Sequence, residues 1–279
     1  MRIDAHHHFW RLDRGDYGWL TRDLTGLYRD YLPADMAPLL ASARIDRTIL
    51  VQAAPTEAET DFLLGLADRT EHIAGVVGWT DFEAPDAAHR IAALAARPGL
   101  VGLRPMIQDI AADDWMLRPA IAPALKAMAE EGLVFDALVL PRHLKILREF
   151  IARNPALDIV IDHAAKPNIA TGEIDNWARD MRMLARETMA VCKLSGLATE
   201  AAPGWTVDTL RPYVEVLLDA FGADRLMWGS DWPVLNLNGG YARWLDAAEQ
   251  LTAGLSTGER EAIFGRTAAI FYGIEDRGT

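Results

Sequence analysis

This chain of 279 residues has a single cysteine, Cys192, so no disulfide can form within it. It also has no run of about 18 apolar residues, the length that a membrane-spanning helix needs. The first residues carry charges and histidines where a signal peptide would have an apolar segment. These absences predict a cytoplasmic protein that makes no contact with a membrane.

Positive charge is scarce, because 28 Lys and Arg face 40 Asp and Glu and the formal net charge is -12. The basic residues are scattered along the chain and form no stripe. Such a surface repels nucleic acid and anionic lipid. We therefore expect a small-molecule partner and no nucleic-acid partner; the sequence leaves the oligomeric state open, and an oligomer is compatible with it.

Eight short β-rich runs alternate with segments of helical periodicity along the whole chain. This order is typical of βα units around a parallel sheet, and 51% hydrophobic content supports a large core. The runs cover residues 2–5, 47–53, 73–79, 100–104, 133–138, 159–162, 190–194 and 226–229. We predict a (β/α)8 TIM barrel of one domain, residues 1–279, with a doubly wound open sheet as the alternative. The sequence contains neither a Gly-x-Gly-x-x-Gly motif nor a Walker-type Gly-Lys-Ser/Thr motif. A nucleotide-binding version of the open sheet therefore has no motif to support it.

Ionisable side chains stand where three of these strands end. His6 and His8 follow the first strand and, because side chains alternate, project to one side while His7 projects to the other. His163 follows an otherwise aliphatic strand, and Asp231 follows the last one. Since the carboxyl ends of barrel strands converge, these side chains and Arg104 are predicted to share one pocket.

Two kinds of chemistry fit this set. Three imidazoles and a carboxylate can bind a divalent metal, or they can perform acid–base catalysis without one. Asp231 lies between Trp228 and Trp232, so we expect partial desolvation to raise its pKa and to suit it to the role of a general base.

Five longer motifs lie where predicted strands end, and four of them contain the ionisable residues described above. They are Asp-Ala-His-His-His-Phe-Trp at 4–10, Gly-Leu-Arg-Pro at 102–105, Ile-Asp-His-Ala-Ala-Lys-Pro at 161–167, Lys-Leu-Ser-Gly at 193–196 and Trp-Gly-Ser-Asp-Trp-Pro at 228–233. With them the chain resembles the amidohydrolase superfamily, and within it the lactonase-like branch called amidohydrolase 2. The resemblance covers nearly the whole chain and implies a distorted (β/α)8 barrel. Members of that branch include hydrolases of sugar-acid lactones and of a pyrone dicarboxylate lactone.

The resemblance implies a lactone hydrolase of carbohydrate catabolism. In it, Asp231 acts as general base, and His6, His8 and His163 polarise the carbonyl. Asp4 or a backbone carbonyl would set the imidazole tautomers. A single Zn²⁺ has ligands in His6, His8, His163 and Asp231, yet the related lactonases look like enzymes that need no metal. We expect no required cofactor and an optional divalent ion.

Substrate contacts are assigned to flat aromatic walls, neutral amides and one cation, namely Trp10, Trp79, Trp232, Gln52, Asn236 and Arg104. Only Arg104 is clearly placed at a strand end, whereas a dicarboxylate would need several arginines. This favours an uncharged aldonolactone of a deoxy sugar such as L-fucose or L-rhamnose. A pyrone-dicarboxylate lactonase, a Zn-dependent decarboxylase and an inactive barrel that serves as a binding module remain as alternatives.

Overall fold

Eight parallel strands form a ring in which each strand pairs with the next in sequence order. The computed structural model describes residues 1–275. The strands are β1 Ile3–His7, β2 Arg47–Val51, β3 Ile73–Gly78, β4 Leu100–Leu103, β5 Val134–Ala137, β6 Ile159–Ile161, β7 Val191–Leu194 and β8 Leu226–Trp228. The predicted (β/α)8 barrel is confirmed, and the open-sheet alternative is wrong.

Helices occupy the segments between the strands and surround the ring. They are α1 Pro33–Ala43, α2 Glu57–Ala67, α3 Ala87–Ala95, α4 Ala122–Glu130, α5 Leu144–Arg153, α6 Asp175–Glu187, α7 Leu197–Glu200, α8 Val207–Phe221, α9 Tyr241–Leu251, α10 Thr257–Glu261 and α11 Thr267–Phe271. Thr56 caps α2 by accepting a hydrogen bond from the Glu59 amide at 3.1 Å. None of the helices within residues 1–275 combines the length and the apolar character that crossing a bilayer requires.

The inner face of the barrel changes from apolar to charged along the strands. Buried aliphatic residues fill the end where the strands begin, among them Ile3, Ala5, Ile49, Val51, Val77, Val134, Val160, Val191 and Met227. Two positions further along β5, β6 and β7 the same face carries Asp136, Asp162 and Lys193, all fully buried. The barrel therefore has an apolar floor and a charged layer above it. A second apolar layer lies between the strands and the helices.

A β-bulge decides which side chains of β1 face inward. Ile3 and Ala5 belong to the apolar floor, so strict alternation would turn His7 inward as well. The register with β2 shifts between Asp4 and His7, where one extra residue is inserted into β1. The bulge reverses the alternation, and it turns His6 and His8 into the barrel.

The ring closes through the segment that follows β8. The Asp231 amide donates to the His6 carbonyl at 2.8 Å, and the His8 amide donates to the Trp232 carbonyl at 2.7 Å. The buried Asp4 carboxylate reinforces this seam, since it accepts from the Ser230 amide at 2.8 Å and from the Tyr241 hydroxyl at 3.0 Å.

A substitution at Gly102 tests how closely β4 and β5 are packed. A Cβ at this position would lie 2.7 Å from the Val134 carbonyl oxygen, a backbone atom that cannot rotate away. Gly102→Ala should lower the free energy of unfolding by about 1–3 kcal/mol, as overpacking does in other cores. Gly258→Ala is the control, because a Cβ at Gly258 meets no atom within 4 Å. Equal denaturation midpoints for the two variants would contradict the packing argument.

Candidate active site

His6 and His8 meet inside the mouth of the barrel. Their Nε2 atoms are 3.2 Å apart, and both side chains are buried. His7 points the other way, where its Nε2 lies 2.9 Å from the Thr48 hydroxyl. The predicted pairing of His6 with His8 is therefore present in the structure.

His163 is presented by a left-handed turn. His163, Ala164, Ala165 and Lys166 all have positive φ angles, of 51°, 51°, 57° and 51°. Non-glycine residues adopt this conformation at a cost of the order of 1–3 kcal/mol each, and they do so mostly at functional sites. The His163 ring fits because residue 196 is glycine: a Cβ there would lie 2.6 Å from the His163 Cβ.

Asp231 completes the cluster, and it too has a positive φ, of 58°. Its Oδ1 lies 3.2 Å from His8 Nε2 and 3.8 Å from the Nε2 atoms of both His6 and His163. Four residues separated by as many as 225 positions in sequence thus surround one point. The structure brings together the four residues that the sequence analysis assigned to catalysis.

The expected rise in the pKa of Asp231 is wrong. Burial does push this pKa upward, but His163 and His8 more than compensate, and the pKa lies below its ordinary value. Burial also lowers the pKa of His163 to about 4 and that of His6 well below its usual range. At neutral pH the cluster therefore contains an ionised carboxylate and, at positions 6 and 163, neutral imidazoles.

His8 and His163 are each oriented by a hydrogen bond at Nδ1, the ring nitrogen that points away from Asp231. His8 Nδ1 lies 2.8 Å from the Val51 carbonyl oxygen, which only accepts, so Nδ1 carries a proton. In neutral His8 the nitrogen facing Asp231 is then an acceptor. His163 Nδ1 lies 2.9 Å from the Ser195 hydroxyl, which can donate or accept. Of the two groups expected to set the tautomers, a backbone carbonyl, that of Val51, contacts His8, whereas the bonds of Asp4 go to backbone amides and to Tyr241.

The cluster fits a single divalent metal ion. Around a tetrahedral Zn²⁺ with bonds of about 2.0–2.1 Å, neighbouring ligand atoms lie roughly 3.4 Å apart. The separations between His6, His8 and Asp231 are 3.2–3.8 Å, and donor atoms of His6, His163 and Asp231 lie within 4.8 Å of one another. Moreover, when the His8 ring is neutral, its Nε2 and Asp231 Oδ1 are two acceptor atoms 3.2 Å apart, an arrangement that a proton or a cation between them stabilises.

Arg104 lies beside His6, as predicted, but it is 97% buried and already bonded. Its Nη1 is 3.3 Å from His6 Nε2 and donates to Asp162 Oδ2 at 3.2 Å, while its Nη2 donates to the Gln52 carbonyl. Gln52 in turn donates from its side chain to the Arg104 carbonyl at 2.7 Å. Arg104 supplies a fixed positive charge beneath the site.

The charged layer below His6 was missed by the sequence analysis. Lys193 Nζ lies 3.1 Å from His6 Nδ1, 2.5 Å from Asp136 Oδ2 and 3.0 Å from Asp162 Oδ1. Burial raises the pKa of Asp136 to about 6 despite Lys193, whereas Lys193 and His6 outweigh burial at Asp162 and hold its pKa well below the ordinary value. The sequence does indicate this layer, because Lys193 and Asp136 stand in otherwise apolar strands, where a charged residue needs a partner. Lys193 and Asp136 meet this condition as His163 does.

The proposed substrate contacts fall into two groups. Trp10 and Gln52 have no exposed surface: the Trp10 indole donates to the Arg29 carbonyl at 2.8 Å, and Gln52 holds Arg104. Trp232 is 3% exposed, with its ring against Tyr31. In this structure Trp10 and Gln52 support the site from behind, and their contact with a substrate stays a prediction. Trp79 and Asn236 are half-buried and keep surface for a ligand.

Comparison with known proteins agrees with this arrangement. A family model described as Amidohydrolase matches residues 3–274. The chain belongs to the amidohydrolase family. An L-fucono-1,5-lactonase of Burkholderia ambifaria is 48% identical over 279 residues, which are 99% of this chain and 96% of that protein. An L-fucono-1,5-lactonase of Burkholderia multivorans is 39% identical and covers 99% of this chain and 97% of its own length.

A solved structure within the family has the same architecture and contains a metal. It is an amidohydrolase from Burkholderia multivorans with bound Zn, 38% identical, with a TM-score of 0.93 and coverage of 99% of this chain and all of the other. A bound metal in this relative is consistent with the positions of His6, His163 and Asp231 in the present chain.

A substitution at Gly196 tests whether the absence of a side chain there gives the His163 ring its place. Gly196→Ala places a Cβ against the His163 ring, whereas Gly204→Ala, in the same loop and with a similar φ of 83° against 70°, meets no atom within 4 Å. Both positions have a positive φ, so the backbone strain of the two variants should be similar, and only the first should displace His163. We expect Gly196→Ala to be about 1–3 kcal/mol less stable than Gly204→Ala, because of the clash. Urea denaturation of both proteins measures the difference, and equal stabilities would contradict the proposed fit.

Proposed function

We propose that this protein hydrolyses a sugar-acid lactone, with L-fucono-1,5-lactone as the substrate to test first. The observation that carries the proposal is the 48% identity to an L-fucono-1,5-lactonase over nearly the full length of both chains. The cluster of His6, His8, His163 and Asp231 at the barrel mouth supports it, since catalytic groups of (β/α)8 barrels lie at this end.

In the first step, Asp231 acts as general base towards a water molecule. Its lowered pKa keeps the carboxylate ionised, and so ready to accept a proton, at neutral pH. The second hydrogen of the water is held by His8 Nε2, which is an acceptor in the neutral ring. The water oxygen attacks the lactone carbonyl carbon while one of its protons passes to Asp231.

Donors on the other side of the cluster stabilise the charge that develops on the carbonyl oxygen. We assign this role to His6 and His163, with the Arg104 guanidinium 3.3 Å from His6 Nε2 adding positive charge. The sequence predicts that His8 shares this task; we propose that it holds the water instead, because a neutral ring that donates to the Val51 carbonyl has no proton on Nε2.

In the second step the tetrahedral intermediate collapses. The bond between the carbonyl carbon and the ring oxygen breaks, and the leaving ring oxygen takes the proton that Asp231 had accepted. The product is the open-chain hydroxy acid, and Asp231 returns to its ionised form. No net proton is gained or lost by the enzyme in this cycle, although the acid product ionises in solution.

A divalent ion held by His6, His8, His163 and Asp231 would supply Lewis-acid activation. We propose that catalysis does not require it, because a lactone ester is reactive and Arg104 and Lys193 already place two cations next to His6. The half-buried Trp79 and Asn236 are proposed to contact the sugar ring.

An uncharged substrate fits the arginines better than a dicarboxylate does. Arg104 is committed to Asp162 and to the Gln52 carbonyl, and Arg142 is bonded to Asp113 at 2.8 Å on the surface. Neither offers a free bidentate fork for a substrate carboxylate. The pyrone-dicarboxylate alternative is therefore disfavoured.

Asp231→Asn removes the proposed base and keeps the size of the side chain. We expect kcat on L-fucono-1,5-lactone to fall by about 10²–10⁴-fold, the usual contribution of a general base. Circular dichroism should show an unchanged fold. Asp246→Asn, at an exposed position of α9, is the matched control and should retain full activity. Near-normal turnover by Asp231→Asn would contradict the assignment.

A panel of lactones separates the alternative substrates. We expect hydrolysis, followed with a pH indicator, to be fastest with L-fucono-1,5-lactone or the L-rhamnonolactone and slow with a pyrone dicarboxylate. Because the proposed steps use only side chains, the rate should not change after treatment with a strong chelator. Loss of activity on chelation and recovery with Zn²⁺ would instead indicate a metal-dependent enzyme.

A further inference from the structure

Lys193 lies at the centre of the charged layer and touches no part of the site except His6. Its side chain is fully buried, and its Nζ has three neighbours: Asp136 Oδ2 at 2.5 Å, Asp162 Oδ1 at 3.0 Å and His6 Nδ1 at 3.1 Å. The proposed reaction gives this lysine no direct role. A buried ammonium between two carboxylates is nevertheless an expensive feature, and its only contact with the catalytic residues is a single imidazole nitrogen.

We propose that Lys193 is a positioning residue that keeps the proton of neutral His6 on Nε2, and so holds the site in a hydrogen-bond-donating form that disfavours metal binding. The tautomer and the metal affinity follow from the geometry alone. Only the catalytic consequence rests on the proposed function.

His6 Nδ1 is the nitrogen that faces Lys193. An ammonium group donates three protons and accepts none. Lys193 Nζ is hydrogen-bonded to Asp136 Oδ2 and to His6 Nδ1, and because it can only donate, the bond to His6 needs a lone pair on Nδ1. A neutral imidazole has one N–H, which must then be on Nε2.

The other ring nitrogen of His6, Nε2, faces the site. In a neutral His8 ring that donates from Nδ1 to the Val51 carbonyl, Nε2 is an acceptor, and it lies 3.2 Å from His6 Nε2. A proton on His6 Nε2 therefore has an acceptor in the resting site. Arg104 Nη1, which can only donate, also lies 3.3 Å from this nitrogen and competes for a lone pair there, but this contact is longer than the 3.1 Å from Lys193 Nζ to Nδ1, and Nη1 also donates to Asp162 Oδ2. One consistent chain of donors thus runs from Lys193 through His6 and His8 to Val51.

The opposite tautomer is the one that a metal needs. A ligating His6 Nε2 must offer its lone pair, which moves the proton to Nδ1, where Asp162 Oδ1 at 3.5 Å is the available acceptor. Lys193 opposes this state, since its ammonium is closer to Nδ1 than that carboxylate is. It also fills the space between His6, Asp136 and Asp162, three residues whose donor atoms lie within 4.8 Å of one another and could otherwise hold a cation.

The test begins with the unmodified protein. Nitrogen-15 NMR of protein labelled at histidine, freed of metal with a chelator, reports the tautomer of each ring, and His6→Asn identifies the His6 signals. We expect His6 to be neutral with its proton on Nε2. A proton on Nδ1 would overturn the proposal without any further variant, and without reference to lactone hydrolysis.

The double variant Lys193→Met with Asp136→Asn removes the ammonium and keeps the buried charges balanced. His6 should then shift its proton to Nδ1, facing Asp162. Zinc affinity, measured by competition with a chromogenic chelator, should rise by about 10–100-fold, the usual size of such effects on ligands. If the proposed function holds, kcat should also fall by about 10²-fold with little change in KM, because a donor to the oxyanion is lost.

Two single variants serve as controls, because they disturb the same network but leave Lys193 next to His6. Asp136→Asn removes one carboxylate, and Tyr272→Phe removes the hydroxyl that donates to Asp136 at 3.0 Å. Both should keep the wild-type tautomer and zinc affinity. A zinc affinity in the double variant equal to that of the unmodified protein, or a rise already complete in Asp136→Asn, would overturn the role of Lys193.

Discussion

The seam that closes the barrel is the constraint on which the site depends. Two backbone hydrogen bonds join β1 to the segment after β8, from the Asp231 amide to the His6 carbonyl and from the His8 amide to the Trp232 carbonyl. The residues that make these bonds also carry three of the four side chains of the cluster. Closing the ring and assembling the site are therefore the same event, and the separation of Asp231 from the histidines is fixed by backbone geometry.

Beneath the seam, charge is balanced in a buried layer. Lys193 and Arg104 face Asp136 and Asp162, with no net charge among the four. Removing one member of such a set typically costs about 3–5 kcal/mol, because it leaves a charge buried without a partner. The layer rests on the apolar floor and holds His6 from below. It provides positive charge under the site without any freely moving side chain.

Much of this could be predicted from the sequence, for reasons that particular residues make clear. The eight strands were placed within about two residues, because apolar runs between turn signals mark buried parallel strands. The meeting of His163 with Asp231 followed from the rule that strand ends converge. The pKa of Asp231 was predicted in the wrong direction, since its sign depends on imidazoles more than 60 positions away. The left-handed turn could not be foreseen, because Ala164 and Ala165 have no local preference for a positive φ.

The sequence by itself determined the order of strands and helices, the pairing of His6 with His8 on one side of β1, and the presence of an acid after β8. Only the tertiary structure decided which side of β1 faces inward, because the bulge between Asp4 and His7 arises from pairing with β2. It also decided the partners of Lys193, which come from β1, β5 and the end of β6. Periodicity is a local property of the chain, whereas register and through-space electrostatics exist only when distant segments are packed together.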